Sequence, residues 1–351
     1  MLSQPRSFSL TPIADTNDRF CDFSPYVASI NNDGIVAFQA ALRTGGAGVF
    51  AAHAGQITML ADTTSGPCSR FYSHPDINRH ASLSFYADLK AGGHGVFLRR
   101  DGQLITIAEA NTPFESIGPL GPTMNDDEQV AFRAGLASGG SGIFAGNGGA
   151  IITIADSSGA FSGFQGLPVI NRQGTVVLRA DLRAGGQGIY TGRGGSLTTV
   201  ADTSTHFREL GLFPTINDEG AVVFSATLKT GDAGIFTATA GKIATIVDTN
   251  GPFESFRGAL INQAGKIIFY ATPKQGTLGI YAGPDAATDR IISIGEPLFD
   301  STVTDFALNP VSFSDRGQLA IRVKLANGRQ HIVRADPVFE NIAGQLTVQK
   351  D

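Results

Sequence analysis

Hydrophobic and polar residues alternate along the chain in short runs separated by Gly-rich turns. Val36, Phe38, Ala40 and Leu42 form one such run, and the same pattern recurs from Val222 to Leu228. Alternation with a period of two over about eight residues predicts a β-strand with one face buried. No stretch between these runs shows the hydrophobic period of about 3.6 residues that is typical of an amphipathic helix. The pattern therefore predicts an all-β chain.

The strands belong to a tandem repeat. Its anchor is Ile-Asn followed by two polar residues and Gly, as in Ile30-Asn31 with Gly34, and it recurs at intervals of about 46 residues. The further copies begin at Ile77, Met124, Ile170, Ile216, Ile261 and Phe313. Seven copies therefore cover nearly the whole chain.

Each copy predicts four strands. The alternating run after the anchor leads to a Gly-rich turn such as Gly45–Gly48, then to an apolar-aromatic strand such as Val49-Phe50. A third strand follows and ends in an acidic residue such as Asp62, which we expect to accept amide hydrogen bonds from the next loop. That loop carries two apolar residues three apart, such as Phe20 and Phe23, before a short innermost strand returns to the next anchor.

Four short strands in each of seven repeats predict a seven-bladed β-propeller. One blade cannot bury both of its faces, so the ring has to close. The predicted blades span about 20–66, 67–112, 113–159, 160–205, 206–251, 252–298 and 299–336 plus 6–16, and residues 337–351 form a C-terminal tail. Phe8–Thr16 resembles an isolated outer strand and is the favoured closing strand, although residues 343–347 are a competing candidate.

The repeat resembles the bacterial tandem-repeat family with an Asn-x-x-Gly-x-x-Ala-Phe core, which reads here as Asn31 to Phe38 and Asn125 to Phe132. The resemblance implies a propeller-forming repeat. It implies no single activity and no catalytic residues.

Composition narrows the partners. The net charge is −5 and only 16% of the residues are charged, which argues against a broad nucleic-acid-binding surface. No apolar run is long enough to span a membrane. Residues 1–10 contain no apolar signal segment and the chain has only two cysteines, so we expect a cytoplasmic protein. We also expect a monomer or a weak dimer. No metal-ligand spacing or cofactor motif is present, so we expect neither a metal nor a cofactor.

The candidate site residues occupy positions where the copies of the repeat differ, because the framework does not require one residue type there. The slot between the Phe and the Ala of the second strand holds Gln39, Tyr86, Arg133, Arg179, Ser225, Tyr270 and Arg322. His74 and Asp76 add an imidazole and a carboxylate two residues apart on an innermost strand, where they share a side. The predicted catalytic set is His74, Asp76, Tyr86, Arg133, Arg179, Tyr270 and Arg322.

Two functions remain open from the sequence. The first is a propeller that binds a small molecule or partner in a funnel on the face with the long inter-blade loops and Gly-rich turns. The second is an enzyme of lyase, hydrolase or ring-forming and alkylating biosynthetic type, with the same Arg, Tyr, Asp and His groups in that funnel. Fold alone cannot choose between them.

Overall fold

The computed structural model describes residues 7–24 and 28–340 and the strand 346–348. Within these residues there are strands and turns but no helix, and accordingly none that is long and apolar enough to cross a membrane. The strands form seven antiparallel sheets, which are the seven predicted blades of a β-propeller.

The strand bounds follow the repeat. The N-terminal strand is β1 (Ser7–Asp15). Blade 1 comprises β2 (Phe20–Asp22), β3 (Ser29–Ile30), β4 (Val36–Leu42), β5 (Ala47–His53) and β6 (Gln56–Asp62). Blade 2 comprises β7 (Cys68–Ile77), β8 (Leu83–Leu89), β9 (His94–Arg100) and β10 (Gln103–Glu109). Blade 3 comprises β11 (Phe114–Ile117), β12 (Thr123–Met124), β13 (Val130–Leu136), β14 (Ser141–Gly146) and β15 (Ile152–Asp156).

The second half repeats the plan. Blade 4 comprises β16 (Phe161–Ile170), β17 (Val176–Leu182), β18 (Gln187–Gly192) and β19 (Thr198–Asp202). Blade 5 comprises β20 (Phe207–Leu210), β21 (Thr215–Ile216), β22 (Val222–Leu228), β23 (Ala233–Thr239) and β24 (Lys242–Asp248). Blade 6 comprises β25 (Phe253–Ile261), β26 (Ile267–Pro273), β27 (Gly279–Tyr281) and β28 (Arg290–Ser293). Blade 7 comprises β29 (Pro297–Leu298), β30 (Ser301–Ala307), β31 (Leu319–Leu325), β32 (Gln330–Glu340) and β33 (Leu346–Val348).

The N-terminal strand closes the ring, as predicted. β1 pairs antiparallel with β32 from Ser7 opposite Val338 to Asp15 opposite His331, and so forms the outer strand of the last blade. Of the competing segment, residues 343–345 lie outside the described part of the chain, and Leu346–Val348 form β33, which pairs with Val338–Glu340. β32 runs on to Glu340, beyond residue 336, where the sequence pattern ends the propeller.

One prediction about the repeat was wrong. The two apolar residues three apart lie on the innermost strand, whereas the sequence pattern placed them in a loop. Cys68 and Phe71 both pair within β7, and the register shifts between Cys68 and Arg70. The bulge inserts one residue, so residues three apart, rather than two, share a face. The spacing therefore marks a bulged strand.

The apolar alternation is buried between neighbouring blades, as expected. Phe224 and Phe236 of blade 5 are almost fully buried and pack with Val177 of blade 4 in one hydrophobic cluster. Phe207, from the innermost strand, meets both rings edge-on at centroid distances of 5.6 and 5.1 Å. Each interface thus buries side chains that a single blade would leave in water.

The propeller has two faces. The Gly-turn face carries the turns equivalent to residues 43–46 and the inter-blade loops equivalent to 63–67, because Leu42 pairs with Phe20 and Gly48 pairs with Asp62 at the same end of the blade. The Asn-turn face carries the Ile-Asn-x-x-Gly turns, equivalent to Asn31–Gly34, and the outer hairpin turns. On the Gly-turn face the Asp62 carboxylate accepts hydrogen bonds from the amides of Thr64 and Ser65, as predicted.

Candidate functional site

The innermost strands of the seven blades converge on an axial recess in the Asn-turn face. It contains a cavity of about 150 Å³ and opens to solvent. Its wall is built from the Ile-Asn turns and the strand ends next to them, so every blade contributes. The residues on its wall include Asn32, Asp76, Arg79, Asp126, Arg172, Asp218, Gln263 and Asp315.

The repeated Asn holds this end of the ring together. The Oδ1 atom of Asn31 accepts hydrogen bonds from the amides of Asp33 and Ile35, which fixes its own turn. Its Nδ2 atom donates to the main-chain carbonyl of Asn78 in the next blade at 2.9 Å. Asn125, Asn171 and Asn262 donate to the next blade in the same way. The anchor is therefore an inter-blade tie as well as a turn residue.

A second ring is formed by the residue that follows each anchor position. The amide of Arg172 donates to Asp218 Oδ1 at 2.8 Å, and the amide of Asp315 donates to Asn32 Oδ1 at 2.8 Å. Asp126, Gln263 and Asp315 accept the amide of the preceding blade likewise. Five of the seven positions thus carry the hydrogen-bond acceptor that the architecture uses.

Arg79 and Arg172 occupy the other two positions, and neither side chain can accept a hydrogen bond. Their guanidinium groups flank one carboxylate, with Arg79 Nε 3.6 Å and Arg172 Nη2 3.3 Å from Asp126 Oδ2. Arg172 Nε also lies 3.5 Å from Asp218 Oδ2. Both Arg side chains are 50% exposed. Each therefore places a charged hydrogen-bond donor on the wall of the recess, at a position where the other blades have a side chain that accepts a backbone amide hydrogen.

The predicted site slot on the second strand lies at the blade interfaces. Gln39 Nε2 donates to the carbonyl of Phe71 in the next blade, and Arg133 Nη1 donates to that of Phe164 at 2.8 Å. The Tyr270 hydroxyl accepts the amide hydrogen of Leu308 at 2.5 Å. These side chains reach the backbone of the following innermost strand.

Arg179 and Arg322 belong to the same slot but pair within their own blades. Arg179 Nη1 lies 2.9 Å from Asp181 Oδ1, and Arg322 Nη1 lies 2.7 Å from Asp305 Oδ2. Both guanidinium groups are almost fully buried. Each of these slot residues is thus engaged within its own blade or by the next blade. Its predicted catalytic role remains a prediction.

His74 and Asp76 are fully buried where blade 2 meets blade 3. Asp76 Oδ2 accepts the amide hydrogen of Met124 at 2.6 Å. The nearest side-chain partner of His74 Nδ1 is Ser73 Oγ at 3.3 Å, not Asp76. Burial lowers the pKa of His74 to about 4 and raises the pKa of Asp76 to about 7, although the Met124 amide opposes the second shift. His74 is therefore neutral at neutral pH.

A polar network whose members the sequence did not connect lies on the Gly-turn side of the same blade. Asp88 accepts hydrogen bonds from the Tyr72 hydroxyl at 2.6 Å and from His94 Nδ1 at 2.8 Å. His94 Nε2 lies 2.6 Å from the carbonyl oxygen of Ile117. Burial acts to raise the pKa of Asp88, but the two hydrogen bonds outweigh it and hold that pKa below its ordinary value. The one sequence signal was His94 inside a turn that elsewhere has Ala47, Ser141 or Gln187.

In this network both ring nitrogens of His94 lie against oxygen atoms, Asp88 Oδ1 and the carbonyl oxygen of Ile117. Neither nitrogen is therefore free to contact a ligand while both contacts persist. Among the described residues, no group of three or more His, Cys, Asp or Glu side chains is arranged to hold a metal ion.

Comparison with solved structures finds propellers at low sequence identity. An oligogalacturonate lyase from Vibrio parahaemolyticus is 10% identical over 98% of this chain and 100% of its own, with a TM-score of 0.60. An oligogalacturonate lyase in complex with manganese is 12% identical over 94% of this chain and 97% of its own, with a TM-score of 0.60. The β-propeller domain of the Trilobed protease from Pyrococcus furiosus is 12% identical over 94% of this chain and 99% of its own, with a TM-score of 0.59. At these identities the likeness extends to the fold alone.

Curated protein sequences include no match to this chain. A family model described as a family of unknown function, DUF7453, matches residues 120–349, which is well over half of the chain. The chain therefore belongs to the DUF7453 family.

Proposed function

We propose that this propeller binds a small polar ligand in the axial recess of the Asn-turn face. The observation that carries the proposal is the pair Arg79 and Arg172, whose half-exposed guanidinium groups stand on either side of Asp126. At the other ring positions the architecture uses side chains that accept a backbone hydrogen bond. Two Arg residues forgo that bond, and their guanidinium nitrogens that do not contact Asp126, Asp218 or His80 remain as donors for a ligand.

The chemistry of the recess indicates the class of ligand. Arg presents planar donors that suit a carboxylate, often in a bidentate arrangement. Across the same rim, Asp218, Asp315, Asn32 and Gln263 carry oxygen atoms that can accept hydrogen bonds from hydroxyl groups. A molecule with one carboxylate and several hydroxyl groups matches both parts. An acidic sugar or a hydroxy acid is therefore the ligand class that we propose.

The recess lies on the face opposite to the one that the sequence favoured. On the Gly-turn face, the basic residues that precede the Gly-rich turns are engaged by the architecture: Arg43 Nη2 donates to the carbonyl of Thr16 and Lys90 Nζ to that of Thr64. His94 is held between Asp88 and Ile117. These commitments favour binding at the recess over catalysis at the Gly-turn face.

Calorimetric titration with galacturonate tests the proposal. Galacturonate has both required groups, and the oligogalacturonate lyases that share the fold are named for an oligomer of this acidic sugar. Galactose, which lacks the carboxylate, is the control ligand, and tartrate is a second probe with carboxylate and hydroxyl groups. We expect saturable binding of an acidic probe and markedly weaker binding of galactose.

Arg172→Gln is the matched test variant, because Gln263 already occupies the equivalent position in blade 6. Arg100→Gln is its control, because Arg100 is also about half exposed and pairs with Glu128 away from the recess. Losing a charged hydrogen bond of about 1.5–3 kcal/mol should weaken binding about tenfold or more in Arg172→Gln only. No binding of either acidic probe, or equal binding by the two variants, would contradict the proposal.

A further inference from the structure

Ser84 breaks the repeat at a buried position. It lies opposite Asp76 in the β7–β8 pair and is fully buried. The other blades have apolar side chains at this place: Ala37, Ala131, Val177, Val223, Ile268 and Ala320. Nothing in the blade architecture requires a hydroxyl group there.

Three polar atoms near this position have no protein partner at hydrogen-bonding geometry within the described structure. They are Ser84 Oγ, His74 Nε2 and the Tyr86 hydroxyl, and each is shielded from solvent. The backbone of Pro122 lies near His74 and that of Arg133 near Tyr86, but neither meets the geometry of a hydrogen bond to these atoms. A buried polar group without a partner costs about 1–3 kcal/mol. Three such costs at one interface would consume a large part of the stability of an ordinary folded protein.

All three side chains face blade 3. Ser84 and Tyr86 are two residues apart on β8 and therefore point to the same side, opposite to Leu83 and Phe85. Tyr86 belongs to the cluster between blades 2 and 3, and its ring abuts Gly118, where an added Cβ would lie 3.3 Å away. The His74 ring abuts Gly121, where an added Cβ would lie only 2.5 Å away.

The opposing segment of blade 3 is irregular at this place. β11 ends at Ile117 and β12 begins at Thr123, so residues 118–122 lie outside the strand ladder. Gly118 and Gly121 bring the backbone close to blade 2 without side chains of their own. The interface is thus polar on the blade 2 side and lacks side-chain partners on the blade 3 side.

We propose that the interface between blades 2 and 3 is an internal binding site for ordered water, held by Ser84 Oγ, His74 Nε2 and the Tyr86 hydroxyl. A water molecule can donate two hydrogen bonds and accept two, so it can satisfy donors and acceptors together. This site is independent of the ligand proposed for the axial recess.

Crystal structures of the wild type and of Ser84→Val test the inference directly. In the wild type we expect electron density for water within about 3.2 Å of Ser84 Oγ and of His74 Nε2 or the Tyr86 hydroxyl. In Ser84→Val the added methyl groups should displace that water. Absence of the density from a well-ordered wild-type interface would overturn the proposal.

Thermal melting provides a second readout. If water is bound, Ser84→Val removes the hydrogen-bonding partner of His74 and Tyr86 and should lower the melting temperature by several degrees. Ser84→Ala should have a smaller effect. Ala131→Ser is the matched control, because it adds a hydroxyl at the same register in an apolar interface. If Ser84→Val melts at or above the wild-type temperature, the interface is dry and the inference is wrong.

Discussion

The side-chain amide of Asn31 donates to the main-chain carbonyl of Asn78, one blade further around the ring, at 2.9 Å. The same Asn accepts two amide hydrogens of its own turn. One residue therefore fixes both the turn and the contact to the neighbour, which explains why the repeat keeps Asn at this position in six of its seven copies.

Asn171→Ala should destabilise the fold strongly. The variant loses the bond from Nδ2 to Asn217 and leaves the amide of Thr175 without its acceptor. We expect a loss of about 2–4 kcal/mol in the free energy of unfolding, measured by urea denaturation. Asn171→Asp keeps the acceptor and removes the donor, so it should lie between the wild type and Asn171→Ala. A loss below about 0.5 kcal/mol for Asn171→Ala would show that the tie contributes little.

Deleting residues 1–16 should open the ring. β1 is the outer strand of blade 7, and its removal exposes the edge of β32 from His331 to Val338. An unpaired edge of that length favours aggregation. Size-exclusion chromatography and thermal melting measure the effect, with deletion of residues 346–351 as the control. A monomer that melts like the wild type after the first deletion would contradict the closure.

Tyr270→Phe should lower stability rather than impair ligand binding. The Tyr270 hydroxyl accepts the amide hydrogen of Leu308 across the interface of blades 6 and 7. Its loss leaves that amide without this acceptor and should cost about 1–3 kcal/mol. Parallel urea denaturation and galacturonate titration separate the two effects. Wild-type stability with impaired binding would instead support the catalytic or binding role predicted for this slot.

The fold could be predicted from the sequence because each repeated residue stabilises either its own blade or the contact with the next blade. Asn31 stabilises its turn, Asp62 stabilises the following loop, and Phe224 packs in the interface between blades. Their places in the repeat are enough to predict these roles. The bulged strand that contains Cys68 and Phe71 was predicted as a loop, because a three-residue spacing without regular alternation is typical of a loop.

The candidate site was less readable, because its geometry depends on contacts between blades. The pairing of Arg79 and Arg172 with Asp126 joins residues about 46 positions apart, and no local pattern marks it. The contact of His94 Nε2 with the carbonyl oxygen of Ile117 also crosses from blade 2 to blade 3. His74 and Asp76 could be placed on one strand from the sequence, but their complete burial follows only from the position of blade 3.

The pH dependence of stability should reveal opposite contributions from His74 and Asp76. Burial raises the pKa of Asp76 from 3.8 to about 7, so between these values the folded chain holds a proton that the unfolded chain has released, and stability falls as pH rises. Burial lowers the pKa of His74 from 6.5 to about 4, so in that window the unfolded chain binds the extra proton, and stability rises with pH.

The two contributions can be separated by substitution. Relative to the wild type, Asp76→Asn should gain stability as the pH rises from about 4 to about 7, because it removes a carboxyl that must ionise while buried. His74→Gln should lose the rising contribution below about pH 6.5. Urea denaturation across this range measures both. An Asp76→Asn difference that is the same at both ends of the range would contradict the buried-carboxyl assignment.

A crystal structure of the protein soaked with galacturonate tests the central claim most directly. We predict that the ligand occupies the axial recess on the Asn-turn face, with its carboxylate within hydrogen-bonding distance of Arg79 or Arg172 and its hydroxyl groups toward Asp218 or Asp315. A ligand bound instead on the Gly-turn face, or a recess that holds only solvent while galacturonate binds in solution, would contradict the account.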